Sequence, residues 1–572
     1  MIKKITLSLI TIASCLNFAT AQTETPKGWH LLSPTKDSFY GIDLARAYQF
    51  AKEKNKKPVQ VIVAVLDSGV DTLHEDLKGI LWRNPKEIPG NGKDDDGNGY
   101  VDDIYGWNFL GGKDGRNIKK ASDEKSRFYH RFKEKYAGKQ IDTTTLSVEE
   151  KYLYKSWLRS AAEITVSTEE QTNVTYVELA VKTLKKNDKI IREDMGKEVY
   201  SIEELEKYTP KTDIAKKAKM GYLNTMRIFG IEADTKNKDI LEELDNYIEG
   251  KKAAIEAKDT APYDYRADFI KDNYNDIRDK YYGNNDVMGA TPMHGTHVTG
   301  IIAAQRGNNI GMDGVAENVK VMMLRVVPDG DEYDKDIALA IFYAVDNGAK
   351  VINMSFGKSY SPEKKWIDSA IRYAAAKDVL LLHAAGNDAS DIDTKENYPN
   401  PFYLDNGKRA ENFMTIGASS DPKVSGSLAA DFSNYGKNTV DVFAPGVKIY
   451  STLPGGNQYG NQKGTSMATP VVAGIAALLR SYYPALSAVQ IREAIEKSAT
   501  VGDDKIETIK PGTKEKTTLT TLCRTGGFVN AYSAIELANK MKPTIKETPK
   551  VAPKKTDTTP KQSSFKTIKT KQ

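Results

Sequence analysis

Three side chains in this chain would together make an activated nucleophile: the carboxylate of Asp67, the imidazole of His294 and the hydroxyl of Ser466. A serine hydroxyl attacks poorly until a base takes its proton. It therefore needs an imidazole within hydrogen-bond reach, and that imidazole needs an acceptor on its other nitrogen. The three residues sit in the segments VIVAVLDSGVD (61–71), HGTHVTGIIAA (294–304) and GTSMATPVVAGIAALL (464–479). Gly295 after His294 and Gly464 before Ser466 leave room for close backbone approach. Ser466 opens the apolar run Met467 to Leu479, which predicts a helix with Ser466 at its N-terminus, where unpaired N–H groups and the dipole favour developing negative charge. Singly, an Asp at a strand end or a Ser at a helix start is an ordinary cap; three such segments in one chain predict acyl transfer through serine.

Together the segments resemble the subtilisin-like (subtilase) serine peptidases. Asp, His, Ser is the chain order of subtilisin, unlike the orders on the chymotrypsin and α/β-hydrolase folds. The resemblance implies an endopeptidase in which Asp67 orients, His294 acts as base and then acid, and Ser466 attacks. Asn387, in Ala384-Ala385-Gly386-Asn387, matches the family's side-chain donor to the oxyanion, beside the Ser466 N–H. Ser355-Phe356-Gly357 matches the segment that pairs with an extended peptide substrate. Phe356 with Ala384, Ala385 and Gly386 is expected to wall the pocket for a large apolar residue before the cut, and Asp388 at its rim would also admit Lys or Arg. His297 and His383 read as structural, the latter as a satisfied core histidine. Two alternatives stay open: a dedicated processing protease gated by additional sequence, and a non-catalytic binding protein on the same scaffold.

A second chemical signal lies in GNGKDDDGNGYVDDIYGW (90–107). Asp94, Asp96, Asn98, Gly99 and Asp102 have the spacing of positions 1, 3, 5, 6 and 9 of an EF-hand loop, and Tyr100 falls at the position that ligates through its carbonyl. So many carboxylates repel one another without a cation, so Ca²⁺ is the expected structural cofactor; the bland reading is a solvated acidic turn. Tyr105 stands where the EF-hand places its bidentate Glu, so Asp103 or a distant group must complete the shell. From the resemblance alone, Asp76 and Asn308 match side-chain ligands of another structural Ca²⁺.

The elements that must position these residues follow from hydrophobic patterning. Val59 to Leu66 is a continuous apolar run ending at Asp67, as in a parallel strand buried on both faces. Similar runs recur at 320–327, 349–355, 379–385 and 413–418, with helical patterns at 336–347 and 364–377 between them. This alternation predicts an α/β fold with a doubly wound, mostly parallel sheet, whose strand ends collect Asp67, Ser355 and Asn387 in one crevice. From 117 to 285 the sequence turns Lys/Glu-rich and amphipathic, at 147–164, 175–193, 201–207 and 238–257, which predicts a large, mainly helical insertion. It separates Asp67 from His294 by 227 positions, so its two ends are expected to emerge close together beside the cleft, as a solvated appendage or as a substrate-selecting module.

The organisation expected is a signal peptide at 1–21, a catalytic domain in two parts (22–116 and 286–540) around the insertion, and a disordered Lys/Pro/Thr-rich tail at 541–572. Lys3 and Lys4, the apolar run Ile5 to Phe18 and Ala19-Thr20-Ala21 read as an export signal, for a secreted or periplasmic product. The alternative is a lipoprotein signal with Cys15 lipidated, the one route to a membrane. Few residues separate this signal from the opening helix near 42–52, leaving no room for an inhibitory prodomain. Cys523 is the other cysteine, so no intramolecular disulfide is expected in the mature protein. The formal charge of +5 belongs to the tail, where nine Lys face Glu547 and Asp557 and leave the preceding chain at −2. That balance gives no basic face for nucleic acid; the partners expected are protein or peptide substrates, and oligomeric state has no signature.

Overall fold

The computed structural model describes residues 25–229, 231, 233, 235–501 and 507–544. The expected signal peptide with Cys15, and the expected tail beyond residue 544, lie outside the described residues.

The strands are β1 (Val61–Asp67), β2 (Gly106–Asn108), β3 (Val319–Arg325), β4 (Val351–Met354), β5 (Leu380–Ala384), β6 (Phe413–Ser419), β7 (Val442–Pro445), β8 (Ile449–Leu453), β9 (Gln458–Gln462), β10 (Thr500–Val501), β11 (Thr508–Ile509), β12 (Lys516–Thr517) and β13 (Gly527–Phe528). Nine of them form one sheet in the order β10-β13-β7-β6-β5-β4-β1-β3-β2, parallel except for the β10–β13 pair. The sheet is buried on both faces. Val61, Val63 and Val65 of β1 point into one core, with the helices Leu44–Glu53, Met293–Ala303, Thr465–Tyr482, Ala488–Lys497 and Ala531–Lys540. Ala64 and Leu66 point into the other, under the helices Asp334–Asp346 and Lys364–Ala376. The two-residue period of a strand explains the division, and two covered faces explain the nearly unbroken apolar run. β3 lies on one side of β1 and β4 on the other, so the sheet changes winding direction beside β1. In open α/β sheets such a reversal is where a crevice forms, outside the carboxyl ends of the strands.

The insertion is helical over Glu124–Tyr136, Val148–Glu163, Thr168–Met195, Ile202–Lys207, Asp213–Phe229, Asn237–Glu256 and Tyr265–Phe269. Its starts are set by side-chain caps: Asp123, Ser147, Ser167 and Ser201 each accept from a backbone N–H of the first turn. Ser147 with Glu150 and Ser201 with Glu204 complete capping boxes. The insertion has two cores. Leu184, Ile191, Tyr200, Tyr222, Leu223, Met226 and Ile240 form one inside the insertion itself. Phe128, Tyr129, Tyr136 and Trp157 form the other, and Tyr360 of the main domain enters it.

The chain leaves and rejoins the main domain at one place. Asn108 Nδ2, at the end of β2, donates to Asn117 Oδ1 (2.7 Å) and to Asn284 Oδ1 (3.0 Å), and Asn284 Nδ2 donates to Asn117 Oδ1 (3.0 Å). The returning segment is anchored by Arg266, whose buried guanidinium pairs with Asp272 (2.6 Å) and Asp336 (2.8 Å). At its far side the insertion touches the β8–β9 hairpin, where Lys236 Nζ donates to Gln458 Oε1 at 2.9 Å.

Candidate active site

Asp67 is the last residue of β1 and fully buried; His294 is the second residue of the helix Met293–Ala303. Asp67 Oδ1 lies 2.8 Å from His294 Nδ1 and also accepts from the Ser68 N–H at 2.7 Å. A proton on Nδ1, held by the carboxylate, leaves Nε2 of the neutral ring as an acceptor. Burial opposes the charged ring, yet the Asp67 charge and hydrogen bond outweigh it, so the His294 pKa stands above the usual value. The contact requires glycine next door. A Cβ on Gly295 would meet the Gly69 carbonyl oxygen at 2.2 Å and Asp67 Cβ and Oδ1 at 3.1 Å.

Ser466 is the second residue of the helix Thr465–Tyr482, an almost wholly buried element that packs beside the His294 helix and across β1 and β4. Pro470 within this helix has no N–H, so the Ser466 carbonyl lacks its usual helical donor. Ser355 Oγ supplies one at 2.9 Å, and Ser466 Oγ donates in return to the Ser355 carbonyl at 3.0 Å. Leu66 pairs in register with Met354. Asp67 and Ser355, each one residue further along, are therefore neighbours on adjacent strand ends; Ser355 in turn holds Ser466, whose hydroxyl is engaged with the Ser355 carbonyl rather than with His294.

Asn387 follows β5 and is exposed. Its Oδ1 accepts from the Thr465 N–H (2.9 Å) and the Thr465 hydroxyl (3.0 Å), which fixes the amide so that Nδ2 is the free donor. The Thr465 N–H is thus used, and those of Met467 and Ala468 reach the Gly464 carbonyl, leaving the Ser466 N–H of the first turn. Gly464 has φ 152°, and a Cβ there would lie 3.5 Å from Asn387 Nδ2 and 3.6 Å from the Ser466 nitrogen. Glycine is thus needed at 464 for its backbone conformation and not for lack of space, and the space beside it is flanked by two N–H donors. An oxyanion placed there would be met by both. Thr465, unnoticed in the sequence beside Ser466, sets this geometry.

The pocket residues are placed as follows. Ala384 and Ala385 are buried, and their carbonyls accept from Asn397 Nδ2 at 3.2 and 2.9 Å. The Gly386 N–H donates to Thr465 Oγ1 at 3.1 Å, which ties the segment to the Ser466 helix. Gly357 lies against Asn397, whose Oδ1 a Cβ there would meet at 2.6 Å. Phe356 departs from expectation. Only 8% of it meets solvent, because its ring joins the core and stands edge-on to His383, with centroids 6.2 Å apart. Asp388 is exposed at the rim, its Oδ2 3.5 Å from Asn434 Nδ2. His297 is buried, with Nε2 3.2 Å from the Gly460 carbonyl. His383 is buried but not satisfied: neither ring nitrogen has a hydrogen-bond partner among the described residues, and burial pushes its pKa down to about 3.

The acidic loop also differs from expectation. Glu87, Asp94 and Asp96 bring carboxylate oxygens within 4.8 Å of one another, and Glu87 Oε2 is buried without a partner. Of the two completions expected, Asp103 or a distant group, the third carboxylate that converges is the more distant Glu87, whose other oxygen receives the N–H groups of Asp95 (2.9 Å) and Asp96 (3.1 Å). Asp102 turns away, accepting from the N–H groups of Gly90 (2.9 Å) and Gly92 (2.7 Å) and so closing the loop. Asp103 points into the protein, where Tyr343 Oη (2.5 Å) and Asn84 Nδ2 (2.7 Å) hold it; burial raises its pKa to about 6. Asn98 Oδ1 accepts from its own loop at Tyr100 N (2.8 Å), and the Tyr100 ring packs on Trp107 and Tyr343. Three converging carboxylates with one oxygen unpaired form a hard-oxygen donor set that fits Ca²⁺. At the second position, Asp76 is buried; its Oδ1 accepts from Asn308 Nδ2 (2.5 Å) and its Oδ2 from Tyr459 Oη (3.2 Å) and Met312 N (3.3 Å). Asn308 Oδ1 accepts from the Ile310 N–H (3.1 Å), which fixes the amide with its donor toward Asp76, so the two side chains satisfy each other here.

A family model described as the subtilase family matches residues 59–520. The chain is 39% identical to the thermophilic serine proteinase of Bacillus sp. (strain AK1) over 42% of this chain and 52% of that protein. It is 33% identical to the cell wall-associated protease of Bacillus subtilis (strain 168) over 50% of this chain and 30% of that protein. With thermitase of Thermoactinomyces vulgaris it shares 36% identity over 50% of this chain and 90% of thermitase. The chain thus spans about half of the first of these relatives and less of the second, but nearly all of thermitase. The family-model match, residues 59–520, spans the strand and helices that carry Asp67, His294 and Ser466, and the chain belongs to the subtilase family of serine peptidases.

Proposed function

We propose that this protein is an exported serine endopeptidase that hydrolyses peptide bonds in protein or peptide substrates through Asp67, His294 and Ser466. The observation that supports the reading is the 2.8 Å contact between His294 Nδ1 and buried Asp67, formed at the end of the strand that pairs with the one leading into Ser355, the hydrogen-bond partner of Ser466. His294 Nε2 takes the Ser466 Oγ proton as Oγ attacks the substrate carbonyl carbon. Asn387 Nδ2 and the Ser466 N–H receive the oxyanion. The carbon–nitrogen bond breaks as the imidazolium returns the proton to the leaving amine, and water, activated by the same ring, hydrolyses the acyl-enzyme. Asp67 holds the ring orientation and stabilises its charged form throughout. The raised His294 pKa supports the base and acid roles, because the imidazolium is stabilised when it forms.

The cleft reads as open rather than gated, since Asn387 is exposed and the His294 side chain retains 35% of its accessibility. Comparing casein with short peptides tests this: a gated processing enzyme would cleave only the peptides. Ca²⁺, when bound by Glu87, Asp94 and Asp96, would supply structural charge neutralisation and pin the 84–103 loop. Among the described residues no helix is long and apolar enough to cross a membrane, and export rests on the N-terminal signal pattern. Fatty-acid labelling distinguishes cleavage after Ala21 from lipidation at Cys15. The direct test of the function is peptide hydrolysis by wild type and Ser466→Ala: the reading expects turnover only in the former, and equal turnover in both would sink it.

A further inference from the structure

The insertion holds the main domain at one segment above all, the four residues that follow Gly357. Lys358 is fully buried, and its ammonium pairs with Glu124 Oε2 of the insertion (2.8 Å) and Asp334 Oδ1 (2.8 Å) while donating to the Glu332 carbonyl (2.7 Å). Glu124 is itself paired with Arg127 (2.8 Å), and its N–H donates to Asp331 Oδ2 (2.7 Å). Beyond Lys358 the hold continues: Arg159 donates to the Ser359 carbonyl, Tyr360 Oη to Glu163 Oε2 (2.6 Å), and Tyr152 Oη to the Ser361 carbonyl (2.8 Å). On its other edge Lys358 exchanges two backbone hydrogen bonds with Tyr398, at 3.0 and 2.8 Å. Desolvation alone would strip the Lys358 charge, but Asp334 and Glu124 keep it, so the pair is a true buried ion pair.

We propose that the first two insertion helices position the substrate-binding strand Ser355–Gly357, with Glu124 and Lys358 as the positioning residues, so that hydrolysis of extended substrates depends on the insertion. The chain just beyond residues 355–357 is held jointly: Asp334, the Glu332 carbonyl and the Tyr398 backbone hold Lys358 from the main domain, while Glu124 at Lys358 and Arg159, Glu163 and Tyr152 at residues 359–361 hold it from the insertion. Removing one member of a buried pair leaves the other uncompensated and forces the segment to move. A displacement of ~1 Å at a substrate-aligning element can cost about 100-fold in kcat/KM. Ser355 is held to Ser466 by two hydrogen bonds of its own, so the displacement falls on Phe356 and Gly357, and a substrate with no residues before the one at the cut depends on it far less.

This inference rests on the peptidase reading, and the test separates the two. Full-length wild type, Glu124→Gln, Lys358→Met and the double variant are assayed on an N-acetyl-phenylalanine ester and on a tetrapeptide p-nitroanilide ending in phenylalanine, with rates expressed per site titrated by a fluorophosphonate. The single variants are expected to lose roughly 10- to 100-fold in kcat/KM on the tetrapeptide, mainly through KM, and less than about two-fold on the ester. The double variant should lose less than the two single losses combined, because the partners share one network. Equal losses on both substrates, or no change on either, would overturn the proposal. If the buried variants yield no titratable protein, Tyr152→Phe and Arg159→Gln act on the same segment from outside the ion pair, and an unmoved tetrapeptide-to-ester ratio in both overturns it. Wild type inactive on both substrates would instead refute the peptidase reading itself.

Discussion

Replacing Gly295 by alanine tests whether the Asp67–His294 contact depends on close backbone approach. The added methyl would sit 2.2 Å from the Gly69 carbonyl oxygen, about 1.2 Å inside ordinary contact at 3.4 Å, and 3.1 Å from Asp67 Cβ and Oδ1. Neither neighbour is a flexible side-chain end: one is backbone, and the other is the buried carboxylate itself. The helix carrying His294 must therefore move away from β1 by on the order of 1 Å, which for a catalytic group costs about 100-fold in kcat. The same movement stretches the 2.8 Å hydrogen bond that, against burial, holds the His294 pKa above its usual 6.5. Activity needs the neutral ring and is lost as pH falls through that pKa. The acid limb of kcat/KM for wild type should thus have its midpoint above 6.5, and Gly295→Ala should move it to lower pH. The assay is a pH–rate profile on a short peptide, corrected for titrated active sites. Activity within about three-fold of wild type with an unmoved acid limb would refute the steric reasoning, since a 1 Å displacement cannot leave both untouched.

Asn387→Ala should lower kcat by about 10²–10³ with little change in KM, the magnitude known for the corresponding donor of subtilisin; stopped-assay kinetics would show it, and a loss expressed mainly in KM would contradict an oxyanion role. Excess EGTA should lower the melting temperature, because ligand at about 100 times its Kd stabilises by roughly 2.7 kcal/mol. Glu87→Gln should abolish most of that response in calorimetry, whereas a response undiminished by the substitution would remove Glu87 from the site. His383, with its pKa pushed to about 3 by burial, takes up a proton on unfolding between that value and 6.5, so stability falls as pH drops through this window. Glu332, raised to about 8 by burial, acts in the opposite sense, adding stability as pH falls from 8 towards its unfolded value of 4.5. His383→Phe should therefore flatten the acid branch by about 1.4 kcal/mol per pH unit in denaturant titrations, and an unchanged slope would show that the ring is already protonated in the fold.

The residues legible in the sequence were those whose role is set locally. Asp67 ends an apolar run that two covered sheet faces make continuous, and Ser466 opens a helix that begins where its apolar run predicts. β1, β3, β4, β5 and β6 each lie within two residues of the strands expected, and the insertion helices begin at Ser caps that the sequence displays. β7 and the β8–β9 hairpin went unassigned because short runs broken by Gly, Pro and polar residues lack a clear period. The misplaced roles are those decided by side-chain direction. Spacing put Asp102 in the expected cation site and offered Asp103 or a distant group to complete it, but a left-handed backbone at Asp102 (φ 51°) aims its carboxylate at Gly90 and Gly92, and Tyr343, 240 residues away, captures Asp103. Glu87, whose carboxylate converges with those of Asp94 and Asp96, comes from an earlier turn outside the repeating pattern. Phe356 was assigned to a pocket wall from sequence position, yet its ring gains more by joining the core beside His383. Lys358 and Glu124, 234 residues apart, look like ordinary surface charges until the fold buries them together.

Whether Ser466 is the activated nucleophile is tested most directly by labelling the intact protein with a fluorophosphonate, digesting it and locating the adduct by mass spectrometry. A single adduct on Ser466 is expected, lost in Ser466→Ala and strongly slowed in Asp67→Asn. An adduct on another residue, or labelling that persists in Ser466→Ala, would contradict it.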